Sequence, residues 1–95
     1  MSTTAASLAK FPLGRLVATQ NALSQLAIQD VLAGIVRHQA GDWGDLGKDV
    51  CLENDLSLEK GFRLLSAYTA RNGVKFWIIT EGDRSRTTVL LPEDY

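Results

Sequence analysis

The chain has very little of what compact catalytic or metal centres are built from. Its one cysteine, Cys51, excludes a disulfide within the chain, and with one histidine, His38, it also excludes a Cys/His zinc site made by a single copy. No glycine-rich cofactor motif follows a strand-like run, so no nucleotide cofactor is expected. Ten basic residues face eleven acidic ones. With charges so balanced, no overall field draws the chain onto nucleic acid or an anionic membrane. There is no apolar run of signal-peptide or membrane-spanning length, which predicts a cytoplasmic protein without a membrane partner. Aromatic residues make up only 7% of the 95 residues, but 45% are hydrophobic, enough for the single modest core of one small domain.

The Ser, Thr and Ala content at the start predicts a flexible tail over residues 1–10, with one α+β domain over 11–95. Phe11 to Thr19, with Pro12, Leu13, Leu16 and Val17, reads as a short edge strand. Thr19 or Asn21 then caps a helix beginning at Ala22. Ile28, Val31, Leu32, Ile35 and Val36 fall at i, i+3, i+4, i+7 and i+8, the strongest periodicity in the chain; the region from Ala27 to Asp30 leaves open whether this is one helix or two. Buried together, five such side chains would contribute on the order of 10 kcal/mol before entropy is counted.

A glycine-punctuated loop from Gly41 to Gly47 leads into an acidic helix from about Asp49 to Lys60, with Asp49 as N-cap and Gly61 as C-cap. From Phe62 the period becomes two. Asn72 and Gly73 suit a tight type I′ hairpin between strands ending near Thr69 and beginning at Val74, and a third strand runs from Arg86 to Leu91, where Pro92 stops it. The expected architecture is a three- to four-stranded antiparallel sheet, formed by a C-terminal meander and the early edge strand, with two or three helices on one face.

Two clusters stand out as candidate binding surfaces. Asp42, Trp43 and Asp45 sit between glycines, where Trp43 either anchors a partner or plugs the edge of the core; the loop has too few oxygen ligands for a metal. Between the last two strands, Glu81, Asp83, Arg84 and Arg86 form a polar knot with Ser85, Thr87 and Thr88. Its guanidinium forks and hydroxyls suit a phosphate, yet its own carboxylates can pair with the arginines and make it a salt-bridged turn. His38 lies at a helix C-terminus, where the dipole favours its protonated form and where it serves as an acid, a base or a cap. Cys51, in an acid-rich helix, reads as a packing residue. Ser66 and Thr80 read as cross-strand hydrogen bonders rather than nucleophiles. From Asp42 to Glu59 six acids face Lys48 alone, a solvated face or a surface for a basic protein.

The order Arg37 and His38, Gly41 to Asp45, Asn54 and Leu58, Gly61 with Arg63 to Tyr68, Trp77 to Arg84, and Thr87 to Tyr95 resembles a family of small bacterial proteins carried on plasmids and other mobile elements. The resemblance covers about residues 11–95, with Gly82 where many relatives have alanine. Members are labelled plasmid-related proteins or, in some cases, a type I restriction methylase subunit, a label this chain has no room to satisfy. It implies a non-enzymatic module that inhibits or regulates a host defence complex by binding it, with a protein rather than a nucleic acid as the favoured partner. The layout also has a likeness to metal-independent ribonuclease toxins of the barnase and colicin type. That likeness would make His38, Glu81, Arg84 and Thr88 the catalytic set, with Arg86 on the phosphate.

Overall fold

A computed structural model describes residues 9–95. The elements run in the order β1 (Arg15–Ala18), α1 (Gln20–Gln25), α2 (Ile28–Gln39), α3 (Lys48–Lys60), β2 (Leu64–Thr69), β3 (Lys75–Thr80), β4 (Arg86–Leu90) and a short 3₁₀ turn, Pro92–Asp94. They form a small α+β structure with a four-stranded sheet in the order β1-β4-β3-β2. The tail expected over residues 1–10 lies largely outside the described residues. Lys10 is already held, its N–H donating to the Gln39 carbonyl at 2.7 Å.

The sheet is mixed, which corrects the antiparallel expectation. β2, β3 and β4 pair antiparallel in chain order, but β1 joins the far side of β4 in parallel, Arg15 beside Arg86 and Ala18 beside Val89. Three helices and two strands separate β1 from β4, ample chain for the crossover that a parallel pair needs. The turn between β2 and β3 also differs from expectation. A type I′ turn requires φ > 0 at both central residues, but Gly73 has φ 88° and Asn72 is not in the left-handed region. The turn closes instead through Gly73 N–H to Ala70 C=O and Ala70 N–H to Val74 C=O, both 2.9 Å, a three-residue loop with glycine in the left-handed position.

The helical segment is two helices. Thr19 caps α1 through its side chain, whereas α2 starts after Ala27 without a side-chain cap. α3 starts after Gly47, so Asp49 lies in its first turn instead of capping it, and Gly61 ends it with φ 79°. α2 buries Val31, Gly34, Ile35 and His38, while Ile28, Leu32 and Val36 stay about half exposed. The buried face is therefore rotated from the expected aliphatic stripe. The cause is Gly34, where a Cβ would meet the Phe76 ring at 3.0 Å. Its lack of a side chain lets the helix seat directly on β3, and only two of the five stripe residues enter the core.

Two apolar clusters result. Ala22, Leu26, Val31 and Ile35 pack on Tyr68, Phe76, Ile78 and Val89, and a smaller cluster gathers Phe11, Trp43 and Leu64 with Leu46, Cys51 and Leu58 beside it. Cys51 thus packs as expected. Among the described residues no helix is long and apolar enough to cross a membrane.

Candidate functional site

His38 projects from the last turn of α2 onto the helix-covered face of the sheet and is fully buried. Its Nδ1 lies 2.5 Å from Ser66 Oγ and its Nε2 lies 2.9 Å from Thr80 Oγ1. Thr80 Oγ1 is 2.7 Å from Thr87 Oγ1, which donates to the Leu13 carbonyl at 2.7 Å. That carbonyl can only accept, so it fixes every proton along the chain. Thr87 donates to Leu13, Thr80 to Thr87, His38 Nε2–H to Thr80, and Ser66 to a neutral Nδ1.

The imidazole is closed in by the edges and faces of Phe11, 5.2 Å away, and Trp43, 5.7 Å away. Burial, and secondarily the charge of Arg84, lower its pKa from 6.5 to about 4. The protonated form expected from the helix dipole is thus overturned. A terminal dipole contributes roughly 0.3–1 kcal/mol, less than the cost of burying an imidazolium whose Nδ1 faces an oxygen already donating to it.

Trp43 is core: 4% exposed, stacked with Phe11 at 6.4 Å, and donating from Nε1 to Asp55 Oδ1 at 2.9 Å. Asp42 accepts both Arg37 Nε and Nη2, and Asp45 accepts the Thr69 hydroxyl. Hydrogen bonding to Arg37 holds the Asp42 carboxyl below its usual range and raises the guanidinium. The two carboxylates thus take different hydrogen-bond partners, and among the described residues no three metal-binding side chains cluster.

In the knot, Arg84 pairs with neither Glu81 nor Asp83 and does not hydrogen-bond His38. Its guanidinium donates to the carbonyls of Phe62, Glu81, Gly82 and Ser57, joining the end of α3 to its own turn. This network holds Arg84 at φ 62°, a left-handed conformation rare for a residue with a side chain. Asp83 accepts the Ser85 backbone N–H at 3.0 Å. The ion pairs present among the described residues, Arg37 with Asp42 and Arg71 with Asp30, lie elsewhere. The knot is therefore a carbonyl-clamped turn rather than a salt-bridged one.

The register brings together a surface on the other side of the sheet. Arg15 pairs with Arg86, Glu81 lies beside Arg86 through an N–H to C=O bond of 3.0 Å, and Arg63 precedes the Leu64 that pairs with Thr80. Arg63, Glu81, Arg86 and Arg15 thus form one row across all four strands. The next row on this face is Leu65, Ile79, Thr88 and Val17, and Trp77 lies beyond it. Thr88 therefore faces away from His38.

The C-terminal turn folds over this face. Tyr95 meets Trp77 at 5.7 Å and lies under the Arg63 guanidinium, which also donates to its hydroxyl at 2.9 Å. Arg63, Leu65, Trp77, Ile79 and Tyr95 line an open groove of about 240 Å³. Of the expected binding residues, the structure brings Glu81 and Arg86 to the rim of this groove, leaves Asp83 exposed on the adjoining turn, and places Asp42, Trp43 and Asp45 elsewhere. Sequence reasoning missed Arg63, Trp77 and Tyr95. The available signal was parity, since residues 63, 65, 75, 77 and 79 share a face in strands of period two. No protein-family model, curated protein or solved structure matches the chain.

Proposed function

We propose that this chain is a non-enzymatic protein-interaction module of a mobile genetic element that inhibits or regulates a host defence complex by binding it. The contact surface is the open face of the sheet. The observation that carries this reading is the convergence of Trp77, Tyr95 and Arg63 on one groove, beside the row that ends in Arg86 and Arg15. Tryptophan, tyrosine and arginine are the side chains enriched at the energetic centres of protein interfaces. A row of three arginines and one glutamate adds orientation and selects an acidic counterpart. The mobile-element context rests on the family resemblance.

The ribonuclease reading has less support. His38 has both ring nitrogens occupied and no exposed surface, Arg84 is spent on carbonyls, and Thr88 lies across the sheet. A general acid or base must reach the proton it moves.

The test is entry of foreign DNA into a host with an active restriction or CRISPR defence, with and without the chain. Entry should rise with the wild-type chain and return to baseline with folded Trp77→Ala or Tyr95→Ala. Full activity in both variants would sink the choice of surface. Cleavage of RNA by the purified chain in chelator-treated buffer would favour the ribonuclease instead.

A further inference from the structure

The outer edge of β1 is flanked by an apolar groove of about 290 Å³ lined by nine residues, among them Leu16, Leu23, Ile28, Leu32 and Val89, none of which is charged. Leu16, Leu23, Ile28 and Leu32 are each about half exposed. Together they line one side of the groove as a contiguous exposed apolar patch, the kind that on a monomer is often functional.

The backbone supplies the second observation. Arg15 N–H donates to Ser85 C=O and Thr19 N–H to Val89 C=O, both at 3.0 Å. Those residues therefore turn their polar groups toward β4, and the alternate residues, Leu16 and Ala18, turn theirs away from the sheet. Among the described residues no strand pairs with that side. At four residues β1 is a short edge, but from Arg15 to Ala18 it has no proline, bulge or inward charge to discourage pairing.

We infer that the occupant of this edge is a second copy of the chain, joined by antiparallel pairing of β1 with β1 about a twofold axis through Val17. This register satisfies both outward-facing residues of each copy at once. Leu16 exchanges two hydrogen bonds with the partner's Ala18, and Ala18 does the same with the partner's Leu16. On the groove side each leucine lies against an alanine, large against small. The two grooves merge into one trough, and the two sheets become one of eight strands. A charged or polar ligand finds nothing to bind on these linings, and a second copy brings both the aliphatic side chain and the strand edge. The inference is independent of the open-face reading, because it uses the other face and an edge.

The test is sedimentation of the full chain over a range of concentrations, with amide hydrogen exchange read residue by residue. The wild type should move to twice the mass of one chain as concentration rises, with the Leu16 and Ala18 amides gaining protection over the same range. Leu16→Pro removes an N–H that β4 does not use, so it should leave the fold and hold the chain as a monomer. A wild-type chain monomeric at high micromolar concentration overturns the inference. A dimer whose Leu16 and Ala18 amides exchange freely also overturns it, and that readout stands even if the proline variant fails to fold.

Discussion

The two edges of the sheet receive opposite treatment from the same chain. At β2 the outward-facing backbone groups of Leu65 and Ala67 are all taken. Asn54 imitates a strand, its side-chain amide donating to Leu65 C=O at 2.6 Å and accepting Leu65 N–H at 3.1 Å. The loop before α3 continues the closure, with Ala67 N–H donating to Trp43 C=O at 3.1 Å and Asp45 N–H to Ala67 C=O at 2.7 Å. At β1 the corresponding groups of Leu16 and Ala18 meet no strand among the described residues, and the side chains around them are aliphatic. An open edge presents unpaired N–H and C=O groups to any strand that can pair with it, and a covered one does not. The contrast explains why Trp43, one of the residues the sequence singles out, is buried: it belongs to the loop that seals this edge.

The largest expected effect comes from breaking the seal. Gly44 forms an isolated bridge with Ala67 at φ 80°, and a Cβ there would meet the Ala67 carbonyl oxygen at 2.0 Å. Gly44→Ala cannot be absorbed by a side-chain adjustment, since the obstacle is backbone. The loop must leave the strand, stranding the Ala67 polar groups and loosening Trp43. A loss of about 4 kcal/mol in denaturant unfolding is expected. A loss below about 1 kcal/mol would show that the loop does not close this edge.

The next effect tests how the edges are tied together. The hydrogen-bond chain from Ser66 on β2 through His38, Thr80 and Thr87 to the Leu13 carbonyl crosses the sheet from the sealed edge to the residues just before β1. The folded pKa of His38 is about 4, below its ordinary value of 6.5. The unfolded chain therefore binds the proton first as pH falls. Stability is full above pH 6.5, declines between 6.5 and 4, and has lost on the order of 3 kcal/mol by the lower limit. His38 is the only histidine, and the depressed carboxylates titrate below this window. Equal unfolding midpoints at pH 7 and pH 5 would contradict the buried neutral imidazole.

How much of this was legible depended on whether the deciding contact was local. The alternation from Leu64 to Leu90 and the Gly61 cap follow from backbone rules within a few residues, and the elements fell close to where those rules put them. The partner of β1 did not, because a parallel crossover spanning most of the chain leaves no mark in the strand itself. The helix face was misread because Gly34 and His38 carry no hydrophobic signal, yet Gly34 sets the approach to Phe76 and His38 fills the space beyond it. The open-face groove was hidden for another reason. Arg63, Trp77 and Tyr95 lie far apart in sequence, and only the register and the return of the C-terminal turn unite them.

The smallest effect comes from truncating one residue at each edge, measured at a concentration at which sedimentation gives the mass of one chain. Asn54→Ala removes two hydrogen bonds from backbone groups that the side chain shields from water, and should cost about 2–3 kcal/mol. Leu16→Ala truncates a residue already 48% exposed whose backbone polar groups face outward, and should cost less than about 1 kcal/mol. The difference between these two numbers, read from paired denaturation curves, measures the asymmetry of the edges directly. If Leu16→Ala proves as costly as Asn54→Ala, β1 is part of the fold's essential closure even in the monomer. An edge so committed could not be held open for a second strand.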